Sequence, residues 1–281
     1  GSLSQETLRV DDFVDIIVKN PSLVWEMLRS VNTAGYQSRS ADEGTTTLSR
    51  AIMLLGQNGI RKVAGNLRPW PGVLGAQQSR SEDDGAASIN ALDRELWLCS
   101  LAGHIARLMA PFSIHDEEAA AVAMSQRLGW LLVLYHFPDE AAQIQRLMQP
   151  GPPATPGGAP TPGMNLEAAC GAVLGINLDD LSAAVLKHWG LHERLIKAAR
   201  PLPLGTPVRN PTSPEETVRV VASLGNELAN CHRLPQEKQP AAIHQAYLRY
   251  VRALQLTPKE CMITLDHAVR LLDGRSEERR V

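Results

Sequence analysis

Apolar residues recur at spacings of three and four along most of the chain, and this period constrains the fold more than any other feature of the sequence. Such a spacing places apolar side chains on one face of an α-helix, whereas a half-buried strand needs alternation with a period of two. No stretch alternates convincingly in that way. The sequence therefore predicts an all-α fold. Representative runs are Phe13, Ile16 and Ile17; Leu96, Cys99, Ile105 and Leu108; and Val218, Val221, Leu224 and Leu228.

Three prolines mark predicted helix starts. Each follows a residue whose side chain can cap a helix, and proline is tolerated in the first turn because its missing N–H would have no partner there. We expect one helix to begin at each of the pairs Asn20-Pro21, Ser213-Pro214 and Thr257-Pro258.

Two stretches lack the helical period. Residues 150–163, with the sequence PGPPATPGGAPTPG, contain only Pro, Gly, Ala and Thr. We expect a mobile, partly polyproline-like connector there, because no side chain in it can anchor it. By composition it either divides two domains or forms an enlarged surface loop inside one. Residues 75–88, GAQQSRSEDDGAAS, are also predicted to be a loop.

The composition argues against several classes of protein. A net charge of −2 gives no indication of a basic face, so we expect no nucleic-acid partner. No apolar run approaches the roughly 18 residues that a membrane span needs, so we expect no membrane partner. The four cysteines are far apart, which predicts reduced thiols in the cytoplasm rather than a zinc site or a disulfide framework. Residues 1–7 begin with Gly1-Ser2, which is typical of a tag scar, so we expect a piece of a longer protein.

No catalytic set is evident in the sequence. His188 and His192 have the i, i+4 spacing that can place two imidazoles on one helical face for a metal. Gly190 lies between them, however, and a turn with two exposed histidines is the preferred interpretation. His104 lies among apolar residues and is interpreted as a core or boundary histidine. The common nucleophile and phosphate-binding loops are absent, and we predict neither a cofactor nor a metal.

Four segments of the chain carry a recognisable order of motifs: NPSLVWEMLRSVNTAGY (20–36), TTLSRAIMLLGQNGIRKVAG (46–65), LWLCSLAGHIARLMA (96–110) and GINLDDLSAAVLKHWGL (175–191). In this order they resemble the HDOD family, the HD-related output domain of bacterial signalling proteins. The resemblance covers roughly residues 8–275, with Asn20 in place of the family's Asp and Thr33 in place of its Ser. The family's first helix has no counterpart.

That family is similar in fold to the HD metal-dependent phosphohydrolases, whose metal is held by a His, a His-Asp pair and a distant Asp. The resemblance implies that SQRLGW (125–130) stands where those enzymes carry the His-Asp pair. It places non-ligand residues at the positions of the metal site, which we call the vestigial pocket: Cys99 for the first His, Gln126 and Arg127 for the His-Asp pair, Leu178 for a further His and Asn226 for the distant Asp.

The residue types in the vestigial pocket argue against a metal ion. A divalent cation that activates water needs carboxylates and imidazoles, and the positive charge of Arg127 would repel it. An arginine can instead occupy the volume of the lost metal and satisfy neighbouring carbonyls or a carboxylate such as Asp179 or Asp180. The pair Gln126-Arg127 is therefore interpreted as the vestige of a catalytic centre.

The resemblance implies a two-part helical bundle with a degenerate HD-type sub-bundle. We predict an N-terminal sub-bundle over residues 8–92, an HD-like sub-bundle over 93–275 with residues 150–163 as an enlarged loop, and a tail over 276–281. The implied function is a non-enzymatic signalling output or interaction module of a larger bacterial protein, whose partner is another protein or an attached regulatory domain. The alternatives are a pocket that binds a nucleotide second messenger through Arg127, and a residual phosphohydrolase.

Overall fold

The computed structural model of the protein describes residues 9–33, 44–67, 82–155 and 157–278. Within these ranges the chain forms thirteen α-helices and one short pair of strands, so the prediction of an all-α fold is confirmed. The helices are α1 Val10–Ile17, α2 Pro21–Thr33, α3 Leu48–Asn66, α4 Glu82–Met109, α5 Asp116–Ser125, α6 Leu128–His136, α7 Pro138–Leu147, α8 Leu166–Leu174, α9 Leu178–His188, α10 Glu193–Ala198, α11 Pro214–Cys231, α12 Gln239–Leu254 and α13 Pro258–Glu278.

The three predicted proline starts are confirmed as the first residues of α2, α11 and α13. The Ser213 hydroxyl accepts a hydrogen bond from the Glu216 backbone N–H at 3.2 Å. Thr257 and Glu260 form a reciprocal pair, in which the Thr257 N–H donates to the Glu260 carboxylate at 2.7 Å and the Glu260 N–H donates to the Thr257 hydroxyl at 3.2 Å. These side chains satisfy N–H groups that have no partner within the helix.

Helix α4 begins earlier than the sequence suggested. The prediction of a loop over residues 75–88 is wrong for residues 82–88, which open this helix, while residues 68–81 lie outside the described residues. The sequence there carries three acidic residues, a glycine and two alanines. Acidic residues at a helix N-terminus interact favourably with the helix dipole, and alanine has the highest helix propensity, so together they favour a helix despite the polar composition.

The centre of the core is α4, against which α5 and α11 pack closely. A Cβ on Gly225 of α11 would lie 2.7 Å from the carbonyl oxygen of Ala102 in α4, and a Cβ on Gly103 would lie 2.4 Å from the Met124 side chain of α5. Glycine at these two crossings therefore allows the helices to approach each other closely. This packing brings three of the helices that carry the vestigial pocket together.

The N-terminal helices are tied to the rest of the protein by polar contacts as well as by apolar packing. The Trp25 indole N–H donates to the Ser125 hydroxyl at 3.0 Å, and the Glu117 carboxylate of α5 accepts from the Ser49 N–H at the start of α3 at 2.7 Å. Helix α4 runs without a break through residues 92–93, so the two predicted parts of the bundle share one helix.

The Pro/Gly-rich stretch forms a short hairpin between α7 and α8. Strand β1, Gly151–Pro153, pairs antiparallel with β2, Pro160–Thr161. The Thr161 hydroxyl donates to the Pro152 carbonyl at 3.0 Å, and beyond the hairpin the Met164 N–H donates to the Leu147 carbonyl at 2.9 Å. The stretch is therefore a loop closed by its own hairpin contacts, since Thr161 and Pro152 both belong to it. Proline is tolerated here because a two-stranded ribbon leaves the outer N–H of each strand without a required partner.

Among the described residues, no single helix is long and apolar enough to cross a membrane. One pair, α8 and α9, meets the length and composition only when both helices are counted together, and the two are bent by 77° relative to each other.

Candidate functional site

Gln126 and Arg127 lie at the short break between α5 and α6. Both residues keep a backbone close to helical, with φ of −64° at Gln126 and −99° at Arg127, so the chain turns from one helix into the next without a loop. The sequence left open whether this polar pair faces water. Only 8% of the Arg127 side chain is exposed, so its guanidinium lies inside the protein.

The guanidinium of Arg127 forms a buried ion pair with Glu95 of α4. Arg127 Nε and Nη2 lie 2.7 and 2.5 Å from the same carboxylate oxygen, and the Glu95 side chain is only 5% exposed. Two charges removed from water in this way stabilise a protein little in net terms, but loss of either one leaves the other buried without a counter-charge. The pair therefore fixes the orientation of both side chains.

The remaining nitrogen of the guanidinium contacts two amides of α11. Arg127 Nη1 donates to the side-chain oxygen of Asn226 at 3.2 Å and to that of Asn230 at 3.1 Å. All three nitrogens of Arg127 thus have acceptors within the protein. Asn230 is exposed, so the network reaches the surface at this residue.

Gln126 extends the network towards the start of α11 and the end of α10. Its side-chain oxygen accepts from Asn226 Nδ2 at 2.9 Å, and its amide nitrogen donates to the Ser223 hydroxyl and to the Ala198 carbonyl, both at 3.2 Å. Asn226 Nδ2 also donates to the Ala123 carbonyl at 2.9 Å. Gln126 and Asn226, two of the residues assigned to the vestigial pocket, are therefore in direct contact.

Cys99 is fully buried beside the ion pair. Its thiol lies 3.5 Å from the carbonyl oxygen of Met124. Burial raises the pKa of the Cys99 thiol far above its ordinary value, and the charge of Arg127 lowers it only in part. This burial disfavours the thiolate, which is the form of cysteine that binds metals.

Leu178 takes no part in the hydrogen-bond network of the vestigial pocket, although it lies close to it. Its backbone carbonyl oxygen would be only 2.4 Å from a Cβ on Gly129, two residues beyond Arg127. The Gly129 N–H donates to the Ser182 hydroxyl at 2.8 Å, which holds the first turn of α9 against α6. The structure thus joins Cys99, Gln126, Arg127 and Asn226 around one centre and places Leu178 at its margin.

Arg127 does pair with a carboxylate, but Asp179 and Asp180, the two examples suggested from the sequence, are wrong. Asp180 is paired with the exposed Arg200 at 2.6 Å, and Asp179 forms no ion pair within the described part of the chain. The true partner, Glu95, lies one helical turn before Cys99 on α4. An acidic residue four positions before a residue assigned to the site is a signal that the sequence did contain, because positions i and i+4 share one helix face.

The donor set of the vestigial pocket does not fit a divalent metal ion. It consists of a buried thiol, two carboxamides and a guanidinium, while its one carboxylate, Glu95, is already paired with Arg127. Hard cations require several anionic or neutral oxygen and imidazole donors, and a fixed positive charge repels them. Among the residues that the structure describes, no group of three or more His, Cys, Asp or Glu side chains could hold a metal.

The two histidines at i, i+4 spacing lie at a turn, as the sequence predicted. Helix α9 ends at His188, and Gly190 adopts a positive φ of 74° before α10 begins. His188 is exposed, but the expectation for His192 is wrong. His192 is half-buried because its ring nitrogen Nδ1 caps α10, accepting the Arg194 N–H at 3.3 Å.

A second buried carboxylate, Glu118, lies between α5 and α10. Its side chain is 1% exposed and pairs with Arg194 at 2.9 Å, while Arg194 also contacts Glu215 of α11 at 3.3 Å. Burial raises the pKa of Glu118 above its ordinary value, and the charge of Arg194 offsets this only in part.

The unfolding free energy of the wild-type protein is expected to depend on the titration of Glu118. Because the folded pKa is raised, the native state holds this proton at a pH where the unfolded chain has lost it, so stability falls as pH rises from the unfolded pKa through the folded one. Glu118→Gln removes this dependence. Thermal unfolding of both proteins between about pH 4 and about pH 7 should show the melting-temperature difference moving in favour of the variant with increasing pH. A constant difference would contradict the prediction.

Comparisons with known proteins agree with the helical architecture. The protein is similar to the MmoQ response regulator of Methylococcus capsulatus strain Bath, with 18% identity, a TM-score of 0.56, and coverage of 95% of this chain and 90% of that one. It is also similar to the virulence factor cj0248 of Campylobacter jejuni subsp. jejuni, with 15% identity, a TM-score of 0.56, and coverage of 96% and 88%. No curated protein matches the chain.

A family model matches the greater part of the sequence. The model for the HDOD domain matches residues 1–201, which carry Cys99, Gln126, Arg127 and Glu95, while Asn226 and the other α11 residues of the network lie beyond the match. The chain therefore belongs to the HDOD domain family.

Proposed function

We propose that the protein is a non-enzymatic signalling output and interaction module that works in the cytoplasm within a larger bacterial signal-transduction system. Its partner is another protein or an attached regulatory domain. HDOD domains are associated with signalling, and one protein of similar fold, MmoQ, is named a response regulator. The observation that supports the non-enzymatic part is the buried pair of Arg127 with Glu95. It lies at the position that the resemblance assigns to the metal of the HD enzymes.

Phosphohydrolase chemistry of the HD type needs a metal to activate water and to neutralise the phosphate oxygens. The vestigial pocket supplies a positive charge from Arg127, but its nitrogens are directed at Glu95, Asn226 and Asn230. The network instead joins α4, α5, α6 and α11, which suits a rigid scaffold.

Protein purified without a chelator is expected to hold no stoichiometric transition metal in the vestigial pocket, because no suitable ligand set surrounds it. Elemental analysis by mass spectrometry is the measurement. The same preparation, supplied with Mg²⁺ or Mn²⁺, should not hydrolyse a chromogenic phosphate monoester or diester above the rate of buffer alone. A stoichiometric metal that is lost on substitution of Gln126 or Asn226, together with turnover, would overturn the non-enzymatic proposal.

The alternative function is binding of a nucleotide second messenger in the vestigial pocket. The exposed Asn230 favours it, since the network is open to solvent at this residue. The engagement of every guanidinium nitrogen of Arg127 opposes it, because a phosphate would first have to displace Glu95 or the two asparagines. Melting experiments with added nucleotides separate the two functions.

A further inference from the structure

The segment between α10 and α11, residues 200–208, is held in place with little apolar burial, and we call it the strap. Only Val208 in it is buried, Leu204 at its turn is 74% exposed, and Gly205 adopts a positive φ of 80°. Segments with few buried apolar contacts open at low free-energy cost unless polar contacts hold them. The position of the strap therefore depends on its hydrogen bonds.

The first half of the strap adjoins the vestigial pocket. The Leu202 N–H donates to the Ser223 hydroxyl at 3.1 Å, and the same hydroxyl accepts from Gln126 at 3.2 Å. Arg219 of α11 donates to the carbonyl of Arg200 at 2.6 Å and to that of the next residue at 3.1 Å. The strap thus closes the end of the polar network formed by Gln126 and Ser223.

The second half of the strap is clamped by one arginine of α12. Arg249 Nη2 donates to the Pro203 carbonyl at 2.6 Å and its Nε donates to the Thr206 carbonyl at 3.0 Å. The third nitrogen, Nη1, pairs with Glu227 of α11, whose carboxylate also accepts from the Tyr250 hydroxyl at 2.6 Å. The planar guanidinium is oriented by Glu227 so that its other two nitrogens face the strap.

We propose that the strap opens and closes over the Gln126 and Ser223 end of the vestigial pocket, and that Arg249 is the residue that keeps it closed. Release of the two carbonyls held by the Arg249 side chain leaves the outer half of the strap with the buried Val208 side chain and the hydrogen bond from its N–H to the Arg249 carbonyl. The inner contact of Leu202 with Ser223 then becomes reachable by water or by a partner.

Amide hydrogen exchange tests the proposal on the whole protein. Two reporters are the N–H of Leu202, bonded to Ser223, and the N–H of Val208, bonded to the backbone carbonyl of Arg249 at 2.9 Å. Neither bond involves the side chain that is changed. In Arg249→Ala we expect exchange at both amides to be about tenfold faster or more, while the amides of α4 and α5 keep their wild-type protection. Arg252→Ala, an exposed arginine of the same helix, is the matched control and should change neither reporter.

The variant Arg249→Lys tests whether the strap is held by the two hydrogen bonds of the Arg249 guanidinium or by its positive charge alone. It keeps a positive charge beside Glu227 but lacks the planar fork that reaches two carbonyls, so it is also expected to speed exchange at Leu202 and Val208. Wild-type protection of both amides in the two Arg249 variants would overturn the proposal. Loss of protection in α4 and α5 together with the strap would overturn it as well, because the strap would then not be a separately opening unit.

Discussion

Arg127→Ala is expected to lower the free energy of unfolding by about 3 kcal/mol or more. The substitution leaves the Glu95 carboxylate, only 5% exposed, without a counter-charge, and it removes the donors to the side-chain oxygens of Asn226 and Asn230. A buried charge without a partner is among the few causes of large destabilisation by a single substitution. Urea or thermal unfolding of both proteins measures the effect.

A matched control is available on the surface of α13. Arg270 pairs with Asp266 one turn away, and the two side chains are 75% and 60% exposed. Exposed pairs of this kind contribute between about 0 and about 1 kcal/mol, so Arg270→Ala should unfold nearly like wild type. The contrast separates the effect of losing an arginine from the effect of burial.

The pairing of Arg127 with Glu95 has its own test. In the double variant Glu95→Leu with Arg127→Met, both charges are replaced by apolar side chains of similar size. We expect this variant to be more stable than Arg127→Ala alone, because no charge remains buried without a partner. Additive losses in the corresponding single and double variants would contradict a direct interaction between the two residues.

The same Arg127 variant distinguishes a scaffold from a receptor for nucleotides. Wild type and Arg127→Ala are melted with and without a panel of cyclic mononucleotides and dinucleotides. A scaffold predicts a destabilised variant and no nucleotide effect on either protein. A variant that melts like wild type, beside a nucleotide that raises the melting temperature of wild type only, would overturn the scaffold proposal, since a ligand that binds the native state raises its stability.

Local signals in the sequence were sufficient to predict much of the fold. The helical period predicted an all-α protein, and the side chains of Asn20, Ser213 and Thr257 located three helix starts, because capping depends only on neighbouring residues. Residues 82–88 were predicted wrongly because their polar composition masked a helix start. The hairpin at 150–163 was missed because its pairing and its threonine contact depend on chain reversal rather than on local preference.

The resemblance named residues that lie together in the structure, but it did not name the residue that pairs with Arg127. The resemblance located Gln126, Arg127, Cys99 and Asn226, and the structure brings these four residues together. It did not identify Glu95, because the choice of counter-ion depends on which helix crosses the break after α5. The sequence neighbours of Leu178 suggested Asp179 and Asp180, but neither forms an ion pair with Arg127 among the described residues. The i, i+4 spacing places Glu95 on the same helix face as Cys99, but its pairing with an arginine 32 residues away depends on how the helices pack.

Gly129→Ala is expected to lower the free energy of unfolding by about 1–3 kcal/mol, although alanine favours a helix more than glycine does. The added Cβ would lie 2.4 Å from the Leu178 carbonyl oxygen and 2.9 Å from the Ser182 hydroxyl. The nearer atom belongs to the backbone, so no side-chain rotation relieves the overlap and the first turn of α9 must move. That movement also stretches the hydrogen bond between the Gly129 N–H and Ser182.

Gly171→Ala in α8 is the matched control, because a Cβ on Gly171 meets nothing within 4 Å. There the same exchange should raise stability by about 0.5–1 kcal/mol through helix propensity alone. Ser182→Ala added to Gly129→Ala should not restore wild-type stability, since the Leu178 carbonyl remains in place. If Gly129→Ala were instead as stabilising as Gly171→Ala, α9 would be free to move away from α6, and the margin of the vestigial pocket would be adjustable rather than fixed.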